Sequence, residues 1–173
     1  WTGVTEPGTP DYIVTGLPFV QVQLRRDLPI SGLTSWFKPR WLILLRSTEP
    51  ATRRRFTLMH EFKHVLDHTT KHYLYGNPEL DERAVERAER AADVFAAALL
   101  MPKRWIKSRW YEGGQNLLAL ASSAGVSTRA LSVRLYHLGI TQDRERCPRT
   151  STPPAVQRRT YFRYTPLLAG ATS

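Results

Sequence analysis

The chain has 173 residues, long enough for one domain with a real core or for one domain with a small appendage. Hydrophobic residues make up 42% and charged residues 23%, ordinary values for a water-soluble globular protein, and no run of about 18 apolar residues exists to cross a membrane. The net charge of +10 sits almost entirely in residues 103–173, which carry 12 basic and 3 acidic groups, so an acidic partner for that part, nucleic acid first, is a reading to test.

The first residues, WTGVTEPGTP, have neither the basic nor the apolar region of a signal peptide. They do not begin with Met, and the sequence is expected to be a piece of a longer chain. The single cysteine, Cys147, has no partner for an internal disulfide, and a cytoplasmic protein is the expectation. Residues 1–18, rich in Gly, Pro and Thr, read as an irregular arm. FVQVQL (Phe19 to Leu24) alternates apolar and polar and reads as a strand; Ile30 to Phe37 and WLILL (Trp41 to Leu45) are two more, with a turn at Lys38-Pro39. Three strands with short connections predict an antiparallel sheet.

Ser47-Thr48-Glu49-Pro50 has the composition of a capped helix start. The helix it opens runs through RRRFTLMHEFKHVLDH, with Phe56, Met59, Phe62, Val65 and Leu66 as a broad apolar face. Gly76-Asn77-Pro78 marks a loop. A second helix, about Asp81 to Leu100, is charged in its first half and apolar in its second, so it should enter the core until Pro102 stops it. A third helical zone covers Lys103 to Tyr111 and ends at Gly113-Gly114. Two further helices hinge at Gly125-Val126-Ser127. From residue 142 onward the chain reads as a basic irregular tail.

His60-Glu61-Phe62-Lys63-His64 is an H-E-x-x-H sequence on a predicted helix. Residues i and i+4 share a helix face, so both imidazoles can reach one ion. Such a site would hold one Zn²⁺ per chain, leaving a position for water, and Glu61 would be the catalytic general base acting on that water. His68 lies about 12 Å along the axis from His60 and cannot bind the same ion. It reads as a packing or hydrogen-bonding residue, and His72 and His137 as ordinary histidines. The third ligand must come from another element, and the second helix offers Glu82, Glu86 and Glu89. Glu89 and Asp93 stand four residues apart on one face: one can ligate while the other accepts the N–H of a ligand histidine, His60 by preference. Asp93 falls within AADVFAAALL, where a charge is costly unless paired, and the alternative is an N-terminal or surface position on an amphipathic helix. Glu86 and Glu82 lie nearer the charged start and read as solvated.

Three stretches, RFTLMHEFKHVLDH (Arg55 to His68), ERAADVFAAALLMP (Glu89 to Pro102) and GVSTRALSVRLYHLGI (Gly125 to Ile140), together resemble the ImmA/IrrE family of zinc-dependent metallopeptidases. ISG (Ile30 to Gly32) before an apolar strand is similar too. The resemblance implies an α+β fold: a small antiparallel sheet packed on a helical, gluzincin-like core, followed by a helix-turn-helix-like segment. It covers about residues 19–140, and the chain is expected to divide into a zinc metallopeptidase domain over 1–112, including the helix at 81–101. The helix-turn-helix-like part would cover 113–141 and the basic tail 142–173. By position it implies His60, His64 and Glu89 as zinc ligands and Glu61 as the catalytic residue. It also implies a role, the cleavage of a specific helix-turn-helix transcriptional repressor that relieves repression of mobile-element or stress-response genes. Two positions depart from the family: Lys63 stands where Gly is usual and Asp93 where Asn is usual. Depth also favours Glu89 over Glu86, because Glu89 borders the apolar run Ala91 to Met101.

The competing reading is a DNA-binding regulator with a structural zinc site. LASSAGVSTRALSVRL has helix-turn-helix spacings, and Arg129 and Arg134 would face nucleic acid or substrate from its second helix. A structural site should have four protein ligands, and the sequence offers no fourth. For the enzyme, an extra oxyanion donor is needed, with Tyr111 and His137 as candidates.

Overall fold

The computed structural model describes residues 10–77, 81–113 and 115–142. Ten elements follow in chain order: α1 (Pro10–Thr15), β1 (Val20–Arg25), β2 (Gly32–Phe37), β3 (Arg40–Arg46), α2 (Ala51–Asp67), α3 (Lys71–Tyr75), α4 (Glu82–Leu100), α5 (Lys103–Glu112), α6 (Leu117–Ala124) and α7 (Thr128–His137). The fold is α+β. The basic tail from residue 143 on, with Cys147, lies outside the described residues, as do Pro78 and Gly114.

The sheet is mixed rather than antiparallel. Its order is β1-β3-β2, with β2 antiparallel and β1 parallel to β3. Lys38-Pro39 makes the tight turn expected of it, since Phe37 pairs with Arg40 across a two-residue loop. The link between β1 and β2 behaves differently. A tight hairpin joins neighbours about 4.8 Å apart, whereas residues 26–31 must step over β3 to a strand two spacings away. The end of β3 holds this link: Arg46 N donates to Ser31 O, Arg46 Nε to Leu28 O, and Ser47 N to Arg25 O. The six-residue connection left room for β3 to insert, which the sequence pattern could not reveal.

The arm expected to be irregular contains α1. Its order comes from contacts distant in sequence: Val14 is fully buried, and Asp11 accepts a hydrogen bond of 2.8 Å from Arg55 Nε on α2. A six-residue helix shows no periodicity of its own, so composition alone missed it. α2 begins at Ala51 behind Pro50, and no side chain caps it. Arg54, one turn inside, instead donates to the carbonyls of Ser47 and Glu49.

Among the described residues, a buried apolar cluster links most of the elements. Ile43 and Leu45 of β3 meet Leu58, Met59, Phe62 and Val65 of α2. Ala96 and Leu100 continue it into α4, Ile106 and Trp110 into α5, and Leu131 and Leu135 into α7. α6 and α7 are capped by Asn116 and Ser127, and the turn between them uses Gly125 at φ 63°, a left-handed conformation that costs glycine nothing. On α4 the buried positions Ala84, Ala92 and Ala96 are small, so α2 and α4 can pack closely. The second half of α4 is not wholly interior: Val94 stays 54% exposed.

Candidate metal centre

α2 and α4 bring His60, His64 and Glu89 together. One ligand atom from each lies within 4.8 Å of the others. His60 and His64, one turn apart, point their Nε2 atoms to within 3.2 Å of each other. Glu89 closes the triangle, with Oε2 3.4 Å from His60 Nε2 and Oε1 3.2 Å from His64 Nε2. A tetrahedron with arms of about 2.0–2.1 Å, the usual zinc–nitrogen length, has edges of about 3.3–3.4 Å. The separation of the two Nε2 atoms fits such an edge, and each histidine has a Glu89 oxygen at a similar distance, so this donor set suits a divalent ion of zinc's size; among the described residues the group of possible ligands comprises these three.

Asp93 fixes the orientation of one ring. Its Oδ1 lies 2.8 Å from His60 Nδ1. A carboxylate only accepts, so Nδ1 carries the proton and, in the neutral ring, Nε2 turns its lone pair toward the cluster. Asp93 is not buried as its apolar neighbours suggested. Its side chain is 63% exposed, and the helix turns it to the rim of the centre. Water thus carries much of the solvation cost that an interior aspartate would have faced. In the metal-free chain the same contacts raise the His60 pKa to about 9: burial alone pushes it down, and hydrogen bonds to Asp93 and Glu89, with the charges of Glu89 and Glu61, outweigh it.

Glu61 leaves the helix beside His60 and is buried. Thr34 Oγ1, on β2, donates to Glu61 Oε2 at 2.9 Å and lies 3.2 Å from the Glu61 carbonyl oxygen. Gly32, two residues earlier on the same strand face, leaves the space this contact needs: a Cβ there would stand 2.4 Å from Thr57 Cγ2 and 3.0 Å from Glu61 Oε1. Neither Thr34 nor the role of Gly32 was legible beforehand. Period-two alternation puts both on one face of β2, but nothing local says that this face meets α2.

The remaining candidates fall elsewhere. Glu86 is exposed and lies 3.5 Å from Arg90, as a solvated carboxylate should. The side chain of Glu82 lies outside the described residues. Lys63 Nζ donates to Asp67 Oδ2 at 2.7 Å, and Tyr75 also donates to Asp67, so the lysine is tied down toward α3. His68 packs edge-on against Trp41 at 4.7 Å. Arg129 is exposed on α7, whereas Arg134 is half-buried with its Nε donating to the Met101 carbonyl at the end of α4. Tyr111 is exposed on α5 and His137 on α7, helices other than those that carry the cluster.

The chain thus presents two histidines and a glutamate from two packed helices beside a three-stranded mixed sheet, a group that could hold a metal ion. The IrrE N-terminal-like domain, Peptidase M78, matches residues 21–136, and the chain belongs to that family. The resemblance read from the sequence is thereby borne out. Among solved structures, a Mycobacterium tuberculosis transcriptional regulator aligns with a TM-score of 0.58 at 16% identity, over 72% of this chain and 38% of that one. At that identity the likeness is one of fold, and this chain spans well under half of that neighbour's length. No curated protein matches the chain. Among the described residues no helix is long and apolar enough to cross a membrane.

Proposed function

We propose that the chain is a zinc-dependent endopeptidase that cuts a specific protein, a helix-turn-helix transcriptional repressor, and so relieves repression. The observation that carries this reading is the triangle of donors from His60, His64 and Glu89, with a buried glutamate next in sequence to the first of them. His60, His64 and Glu89 would hold the zinc ion, which when bound would acidify a water and polarise the peptide carbonyl. Glu61 would serve as general base toward the attacking water and pass the proton on to the leaving amine. Asp93 keeps His60 in the ligating tautomer, and Glu89 offsets part of the metal's charge. Three candidate ligands rather than four among the described residues favour catalysis over a structural role, since structural zinc is held by four protein ligands.

The regulatory part rests on family membership and on the transcriptional-regulator neighbour of like fold. Its test is incubation of the zinc-loaded protein with the helix-turn-helix protein encoded nearest to it, followed by mass spectrometry. Discrete fragments are expected from the wild type. Glu61→Gln should retain zinc and slow cleavage by about 10²–10⁴-fold, the usual cost of losing a general base. A loss below about tenfold with zinc retained removes Glu61 from that role.

A further inference from the structure

The edge strand β2 does more than cover the metal helix. We infer that Thr34 is the positioning residue that aims the Glu61 carboxylate, acting together with the gap left by Gly32. This rests on the proposed peptidase reading and adds to it a role for the sheet.

Glu61 has three rotatable side-chain bonds before its carboxylate, and holding such a chain in one rotamer is entropically unfavourable without a partner. The partner supplied is a hydroxyl. Thr34 Oγ1 has one proton, and of its two acceptors on Glu61 the carboxylate oxygen is nearer, at 2.9 Å against 3.2 Å for the carbonyl. A hydroxyl orients a carboxylate without bringing a positive charge to it. An arginine or lysine in that place would stabilise the ionised form and weaken it as a base. The donor itself is held firmly. Thr34 pairs in register with Ile43, which is fully buried, and threonine's branched Cβ restricts its χ1.

Gly32 completes the arrangement from the same strand face. Its missing side chain lets Glu61 Cγ and Oε1 lie against the β2 backbone. The carboxylate is thus bounded by β2 on one side, while the neighbouring His60 faces the donor cluster. A geometry this restricted matters for catalysis, because a misplacement of about 1 Å can cost about 10²-fold in rate.

The test uses Thr34→Val, which keeps shape and removes the hydroxyl, and Thr34→Ser, which keeps the hydroxyl. The substrate is a quenched fluorogenic peptide spanning the bond cut in the repressor. Thr34→Val should retain zinc, leave KM within about threefold and lower kcat by at least about tenfold. Thr34→Ser should recover most of that loss. A second readout needs no turnover: a peptide hydroxamate, a chelating group that gives up a proton on binding, is titrated against the cobalt-substituted proteins by visible absorption. Thr34→Val should bind it at least about tenfold more weakly than wild type or Thr34→Ser. Equal kcat and equal hydroxamate affinity in Thr34→Val, or a Thr34→Ser as impaired as Thr34→Val, overturns the inference. Absence of cleavage by the wild type overturns the proposed function instead, and the hydroxamate titration then decides on Thr34 alone.

Discussion

Glu89 and Glu86 lie three positions apart and share much of their sequence context, yet they meet different surroundings. Glu89 points its two oxygens at two histidines, and Glu86 meets Arg90 in water. Zinc content after dialysis against a weak chelator should therefore fall in Glu89→Ala and persist in Glu86→Ala; the reverse pattern would remove Glu89 from the ligand set. The His60 imidazole carries a second prediction, for the metal-free protein. Its folded pKa of about 9 lies above the ordinary 6.5. The folded state thus binds its proton more tightly, and the stabilisation is fully present below about 6.5 and is lost as pH rises toward 9. Chelator-treated wild type should accordingly melt lower at pH 9.5 than at pH 6. In His60→Gln that difference should shrink, and an unchanged difference would assign it to other groups.

At the scale of elements, the contact between β2 and α2 is set by one missing side chain. A Cβ on Gly32 would press Thr57 Cγ2, a branched and buried group with little freedom to move. Gly32→Ala should destabilise the fold by about 1–3 kcal/mol, the usual range for overpacking. Adding Thr57→Ser removes the clashing methyl and should restore part of that loss. Chemical denaturation of the two single variants and the double variant measures the coupling; simple additivity would show that the clash is relieved some other way. Arg55 plays a comparable part in the first turns of α2. It donates to Asp11 of α1 and to the Ala124 carbonyl at the end of α6, so the helix that carries the H-E-x-x-H sequence also joins the two flanks of the described chain.

Over the whole molecule the uneven charge remains to be used. Lys103, Arg104, Lys107 and Arg109 of α5 and Arg129 of α7 are exposed, while Arg134 is engaged at the end of α4. The full chain should bind duplex DNA without sequence preference and release it as salt rises, because phosphate contacts displace counterions. A labelled duplex titrated at two salt concentrations checks this. No binding at low salt, or binding indifferent to salt, would leave the charge to substrate recognition or to surface solvation.

The sequence by itself determined what depends on neighbours along the chain. His60 and His64 share a face because four residues make one helical turn, and Glu61 and Asp93 were identifiable by their spacing from those positions and from Glu89. The strand positions, the turn at Lys38-Pro39 and the helix ends near Asp81, Pro102 and Gly125 were legible for the same reason: turn, cap and breaker chemistry acts within a few residues. Only the tertiary structure decided what depends on distant partners. β3 inserts between β1 and β2, α1 is ordered through Arg55, Asp93 lies at the rim rather than in the core, and Arg134 closes a helix end. Thr34 belongs with these, because a strand's alternation names its two faces but not which one meets the helix. Which face is chosen follows from burying the most apolar surface over the whole chain at once, a condition no local stretch contains.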